Sequence, residues 1–152
     1  MNIHAVVVDI KEKKVLQKEA LNFIYSDQNG AESFFIGRVR NENDGKKVKA
    51  VTYDIHETMV IKSFKTICNK AIKKFDENAR IFLEHVKGYV PVGEISIIIA
   101  VGAGHRDEAF KICRYILEEI KHQSPIWKKE HYVKGGTDWL SGKSLRPKKE
   151  VK

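Results

Sequence analysis

Three clusters of cations are the residues of this chain best placed to do chemistry: Arg38-Val39-Arg40, His105-Arg106, and Lys121 with Lys128-Lys129-Glu130. Arginines two positions apart on a strand share a face, and their planar forks suit bidentate recognition of phosphate or carboxylate; a solvated strand end would carry the same residues. In Val101-Gly102-Ala103-Gly104-His105-Arg106, small residues stand where a strand turns into a helix and free N–H groups face outward, a common seat for an anion. Arg106 in a first helical turn opposes the helix dipole, and an anionic ligand would explain it, whereas Lys121 in the last turn of the same helix is favoured with no ligand at all. Pro125-Ile126-Trp127 then pins an extended segment in which alternation sends Lys128 and Lys129 to opposite faces. Lys128 falls opposite Trp127 and Lys129 beside it, and spacing alone does not choose between them. Together these groups read as a preorganised site for a phosphorylated or carboxylate-bearing ligand.

The elements that must position these residues follow from hydrophobic period. Ile3 to Ile10 reads as a strand, and Val15 to Tyr25 as a short helix with Leu16, Ala20, Leu21 and Ile24 on one face. Glu32 to Arg40 and Val48 to His56 read as the arms of a hairpin around Asn43-Asp44-Gly45, residues that tolerate positive φ. From Glu57 to about Phe75, Val60, Phe64, Ile67, Cys68, Ala71 and Phe75 recur at helical steps. Arg80 to Val86 and Glu94 to Val101 are strands separated by a Gly88 to Gly93 loop, and the apolar run Ile95 to Val101 predicts a central strand. A long helix from about Arg106 to His122 buries Ala109, Phe110, Cys113, Ile116, Leu117 and Ile120; Ile126 to Val133 is extended, Gly135-Gly136 turns, and Asp138 to Leu140 is a last short strand. The resulting class is α/β (α+β), with a mixed or antiparallel sheet and two long helices.

The chain has 152 residues, 42% of them apolar, enough for one core and too few for two. We assign residues 1–143 to that domain and 144–152, which include Pro147-Lys148-Lys149, to a basic solvated tail. A net charge of +8 permits binding to polyanions, but the charges are interleaved rather than segregated. The N-terminus lacks a secretory pattern and no apolar run would span a membrane, so a soluble, cytoplasmic protein is expected. Cys68 and Cys113 fall on the apolar faces of helices and read as core. No Ser/His/Asp arrangement sits in a nucleophile-elbow context, the six histidines lack metal spacing, and Asp107 stands where a dinucleotide fingerprint needs its third glycine. Neither a metal nor a nucleotide is expected. Phe34, Phe35, Tyr53 and Trp127 could stack on a planar heterocycle or an unpaired base, but the RNP core of an RRM is absent.

Phe35-Ile36-Gly37-Arg38-Val39-Arg40-Asn41, then His105-Arg106 with Ala109-Phe110, then Lys121 and Pro125-Ile126-Trp127-Lys128-Lys129-Glu130 resemble, in order and spacing, the large catalytic subunit of molybdopterin synthase. The resemblance runs from about residue 3 to residue 143. It implies a single-domain α/β hammerhead fold and a homodimer of large subunits, with a small ubiquitin-like sulfur carrier at each end of a heterotetramer. It implies a sulfurtransferase of molybdenum cofactor biosynthesis. Sulfur passes from a thiocarboxylate on the carrier's C-terminal Gly-Gly to cyclic pyranopterin monophosphate, giving the dithiolene of molybdopterin, with no cofactor of the enzyme's own. Carried onto this chain, catalysis falls on Lys121 and Lys128, and substrate binding on Arg38, Val39, Arg40, His105, Arg106, Lys121, Lys128, Lys129 and Glu130. The chain departs from the family pattern in Asp54 to Met59, at Ala103, and at Lys143, near which the family has an arginine. A basic nucleic-acid-binding module is the alternative from another class.

His105 and Lys121 are 16 residues apart along one helix, about 24 Å at 1.5 Å per residue. One pterin phosphate does not span that. If both serve one site, they come from different protomers, and the site is composite at a two-fold interface.

Overall fold

The computed structural model describes residues 1–144, with side chains described through Thr137, so most of the expected tail lies outside the described residues. The elements in chain order are β1 (Ile3–Asp9), α1 (Gln17–Ile24), β2 (Ala31–Arg38), β3 (Glu42–Asn43), β4 (Lys46–Ile55), α2 (Glu57–Phe75), β5 (Arg80–Pro91), β6 (Ile95–Ala103), α3 (Arg106–Gln123), β7 (Ile126–Tyr132) and β8 (Thr137–Ser144). The sheet runs β2-β6-β5-β4-β7-β8, with β1 parallel to β5 and β3 paired to β4. It is mixed, as expected.

Strand β5 holds the sheet together by changing partners. As far as Lys87 it lies between β1 and β6, and from Gly88 to Pro91 it pairs with β4. Gly88 has φ +103°, a conformation that L side chains rarely adopt, and a Cβ there would come within 3.1 Å of Ile10. The segment read as a Gly88 to Gly93 loop is therefore mostly strand, and the turn into β6 is confined to Val92-Gly93, closed by Glu94 N–H donating to Pro91. Strand β6 is buried at every position from Ser96 to Ala103, which needs cover on both faces. Helices α2 and α3 pack against each other and on β1, β2 and β6, while α1 lies on β5 and β6.

The hairpin expectation is corrected. Asp44 and Gly45 do take positive φ and turn the chain, but the arms they join are only β3 and the start of β4. Strand β2 instead runs antiparallel to β6, from Ala31 opposite Ala103 to Arg38 opposite Ile95. A turn sequence fixes the turn, not the length of its arms, and the apolar β6 offers Phe34, Phe35 and Ile36 a buried partner that β4 does not. Two helical faces also differ from expectation. Leu16 and Leu21 are exposed around a short α1 that buries Ala20 and Ile24, and Phe110 is 66% exposed on α3 while Ile112 takes a core position. Cys68 and Cys113 are buried as read, and burial pushes the Cys68 thiol up to about 12.

Where β6 meets α1 the backbones almost touch. A Cβ on Gly102 would lie 2.5 Å from the carbonyl oxygen of Ile24, an atom of the main chain that cannot swing aside. Gly102→Ala is expected to lower stability by about 2 kcal/mol, read by urea unfolding, because α1 must shift off the sheet.

Candidate active site

The extended segment β7 carries the lysines, and its pairing with β4 decides their faces. Ile126 stands opposite Ile55, Lys128 opposite Tyr53 and Glu130 opposite Val51. Ile55, Tyr53, Val51, Ile126 and Glu130 are all buried, so this is the inner face and Lys128 is on it. Trp127 and Lys129 share the outer face with Asp54 and Thr52, and Trp127 is exposed. The choice that spacing left open is settled by the neighbouring strand: Lys128 points inward and Lys129 outward.

Behind Lys128 lies a group that the sequence reading passed over. His85, on β5, is 1% exposed; its ring sits 5.0 Å from Tyr53, edge on, and its Nδ1 is 2.8 Å from the carbonyl oxygen of Val86. Nδ1 must carry the proton in that contact, so Nε2 is left as an acceptor. Burial, and secondarily the charge of Lys128, lower the His85 pKa to about 4, against 6.5 for an ordinary imidazole. Burial likewise raises Tyr53. The one available signal was the polar pair Glu84-His85 inside an apolar strand. Lys129 acts elsewhere: with Lys49 it adds to the burial that lowers His131, whose Nε2 is 2.7 Å from the Thr52 hydroxyl.

Glu130 belongs to the scaffold. Its Oε1 accepts hydrogen bonds from Asn43 Nδ2 at 3.0 Å and from the Tyr132 hydroxyl at 3.1 Å, tying the segment that follows Arg40 to β7. Val39 has its side chain in the core, its N–H donates to Glu94 and its carbonyl accepts from Gly93. Strand β2 ends at Arg38 after a bulge at Gly37, so Arg40 lies just beyond it, but the alternation expected of these residues persists, with Val39 buried between exposed Arg38 and Arg40. Arg38 Nη1 donates to the Gly93 carbonyl at 2.7 Å, and Arg40 is exposed beyond the strand. The two guanidiniums still stand at the end of the molecule that Asn43 joins to β7.

Lys121 is half-buried in the last turn of α3, and Ser124 at the C-cap is 3.0 Å, hydroxyl to hydroxyl, from Ser63 of α2. Only the Ser124-Pro125 link separates α3 from β7, so Lys121 and Lys128 flank one junction. His105 and Arg106 occupy the other end of the helix. The His105 side chain is 89% exposed, 3.9 Å from Glu108, and caps nothing. Of the N–H groups at the Val101 to Arg106 junction, that of Gly104 is taken: it donates to Asp76 Oδ2 at 2.9 Å. Because α3 is continuous from Arg106 to Gln123, the two cationic groups stay apart within one chain. Among the described residues no helix is long and apolar enough to cross a membrane.

The model of the MoaE protein family matches residues 10–123 of this chain. The chain belongs to the MoaE family. Its relatives include proteins named molybdopterin synthase catalytic subunit from Synechococcus elongatus, 40% identical over 83% of this chain and 76% of theirs, and from Emericella nidulans, 36% identical over 86% and 70%. Among solved structures, molybdopterin synthase from Staphylococcus aureus superposes with a TM-score of 0.82 at 27% identity, covering 89% of this chain and 95% of that one. The fold is also that of a Helicobacter pylori complex of subunits 1 and 2 of molybdopterin-converting factor, with a TM-score of 0.69 at 21% identity over 97% and 94%. These likenesses support the hammerhead fold expected of this MoaE chain.

The neutral His85 makes stability depend on pH. Its folded pKa lies below the unfolded value of 6.5, so its contribution is complete above pH 6.5 and is lost as pH falls toward about 4. At pH 5 the loss is expected to be about 2 kcal/mol relative to pH 7. Urea unfolding at the two pH values should show it, and His85→Gln should remove that part of the difference.

Proposed function

We propose that this MoaE chain is the catalytic subunit of a cytoplasmic molybdopterin synthase. It transfers sulfur from the C-terminal thiocarboxylate of a small carrier protein to cyclic pyranopterin monophosphate, without a cofactor of its own. The observation that carries this reading is the inward placement of Lys128 beside the junction that also holds Lys121. A thiocarboxylate tail brings negative charge to that junction, where two ammonium groups offset the charge on its oxygen and sulfur and can shuttle protons during sulfur addition. His105 and Arg106, with the arginines at Arg38 and Arg40, hold the phosphate and pterin.

The homodimer follows from α3. Arg106 and exposed Phe110 are four residues apart, on one face of the helix, so an exposed phenyl ring borders the cation that binds substrate. A second protomer docked there brings its own Lys121 and Lys128 to this His105 and Arg106, closing the gap that one chain cannot. The nucleic-acid-binding alternative has only net charge in its favour.

Lys121→Ala and Lys128→Ala are each expected to lower dithiolene formation by at least about a thousandfold with fold and dimer intact, and Lys129→Ala to cost less than about tenfold. Single-turnover assays with thiocarboxylated carrier check this; an essential Lys129 would mean that the outer face of β7 bears the site.

Subunit exchange tests the composite site. A His105→Ala/Arg106→Ala protein and a Lys121→Ala protein should each be nearly inactive alone. Random exchange leaves half the dimers mixed, each with one intact site, so activity should return to about a quarter of wild type. No recovery after exchange confirmed by mass-tagged subunits would place the site within one chain.

A further inference from the structure

The loop that presents His105 and Arg106 is gripped from two sides. On one side Gly30 N–H donates to the Gly104 carbonyl at 3.2 Å, and a Cβ on Gly30 would stand 2.9 Å from that oxygen. On the other, Asp76 Oδ2 accepts the Gly104 N–H at 2.9 Å. The N–H and the carbonyl of Gly104, which lie in the peptide units on either side of its Cα just before the His105 cap, are thus both held by residues distant in sequence. Asp76 is itself immobile: its N–H donates to Ile72 as α2 ends, its carbonyl accepts from Ala79, and its Oδ1 accepts from Asn78 N–H at 2.9 Å.

The charge of this residue is the wrong sign for its place. A carboxylate at the mouth of an anion site repels the phosphate that His105 and Arg106 are there to hold, and Glu108 already lies beside His105. A role that outweighs that repulsion has to come from its hydrogen bonds. Without them Gly104, which has no side chain to anchor it, would leave the following two residues free to turn with solvent.

We infer that Asp76 is a positioning residue for the substrate-binding half of the site, holding His105 and Arg106 in place through the N–H of Gly104. The inference rests on the composite-site reading above, and subunit exchange separates the two. An Asp76→Ala subunit has a defective His105–Arg106 half and intact lysines. Its homodimer should show a KM for the pterin phosphate raised roughly tenfold with kcat changed less, and Asp76→Asn, which keeps one carbonyl acceptor, should fall between it and wild type. Mixed with Lys121→Ala subunits it should form dimers with one intact site and regain wild-type KM in that fraction. Mixed with His105→Ala/Arg106→Ala subunits it should regain nothing. General loosening of the fold would not distinguish the two partners. Gly30→Ala, which pushes on the carbonyl of the same residue from the other side, should fall in the same class and serves if Asp76→Ala does not fold. A wild-type KM in Asp76→Ala, or rescue by the His105→Ala/Arg106→Ala partner, would overturn the inference. If the two parent variants are active alone as homodimers, the composite-site reading falls and the inference with it.

Discussion

Helix α3 is a strut with cations at both ends. Its continuous hydrogen-bond ladder from Arg106 to Gln123 sets the distance between them, about 1.5 Å for every residue, and no side-chain movement shortens it. The buried stripe of Ala109, Ile112, Cys113, Ile116 and Ile120 presses the helix onto the sheet, so it cannot bend to bring its ends together either. A chain that uses both ends on one small substrate has to do so as a dimer, which is the physical ground for the proposed composite site.

The two ends are held by different means, which suits their different tasks. At the N-terminal end a backbone loop is fixed by main-chain and carboxylate hydrogen bonds, leaving the imidazole of His105 outside the protein surface and available to a partner protomer. At the C-terminal end the helix passes directly into β7, whose long register with β4 fixes Lys128 to within one strand position. A slip of a single residue in that register would exchange Lys128 for Lys129 on the inner face. Ile126 opposite Ile55 and Glu130 opposite Val51, all buried, make such a slip costly.

Most of the helices and strands were legible in the sequence because their burial is periodic: α2 begins at Glu57 and ends at Phe75, as Val60 through Phe75 predict. Pairing was less legible. The Asn43-Asp44-Gly45 turn is local, but the partner of β2 is chosen by the apolar strand β6, whose paired residues lie 57 (Arg38 to Ile95) to 72 (Ala31 to Ala103) positions downstream, and no short-range signal encodes that. At the site, residue types announced the cations, while what fixes them is tertiary. Asp76 reads as an ordinary helix-ending aspartate until Gly104 is folded against it, and Asn43 reads as a turn residue until it meets Glu130. The face of Lys128 depends on a neighbouring strand.

The inner face of β7 also explains why the residue behind the lysine is a histidine kept neutral. On the proposed function, the Lys128 ammonium meets a thiocarboxylate tail, and a second buried cation there would repel both it and any other ammonium nearby. A neutral imidazole avoids that repulsion: Nδ1 is committed to the Val86 carbonyl, and the remaining lone pair offers polarity without net charge. Burial and Lys128 itself keep it so, since each disfavours the protonated ring. The carboxylate of the segment, Glu130, accepts from Asn43 and Tyr132, which anchors β7 to the end of β3, where the turn begins.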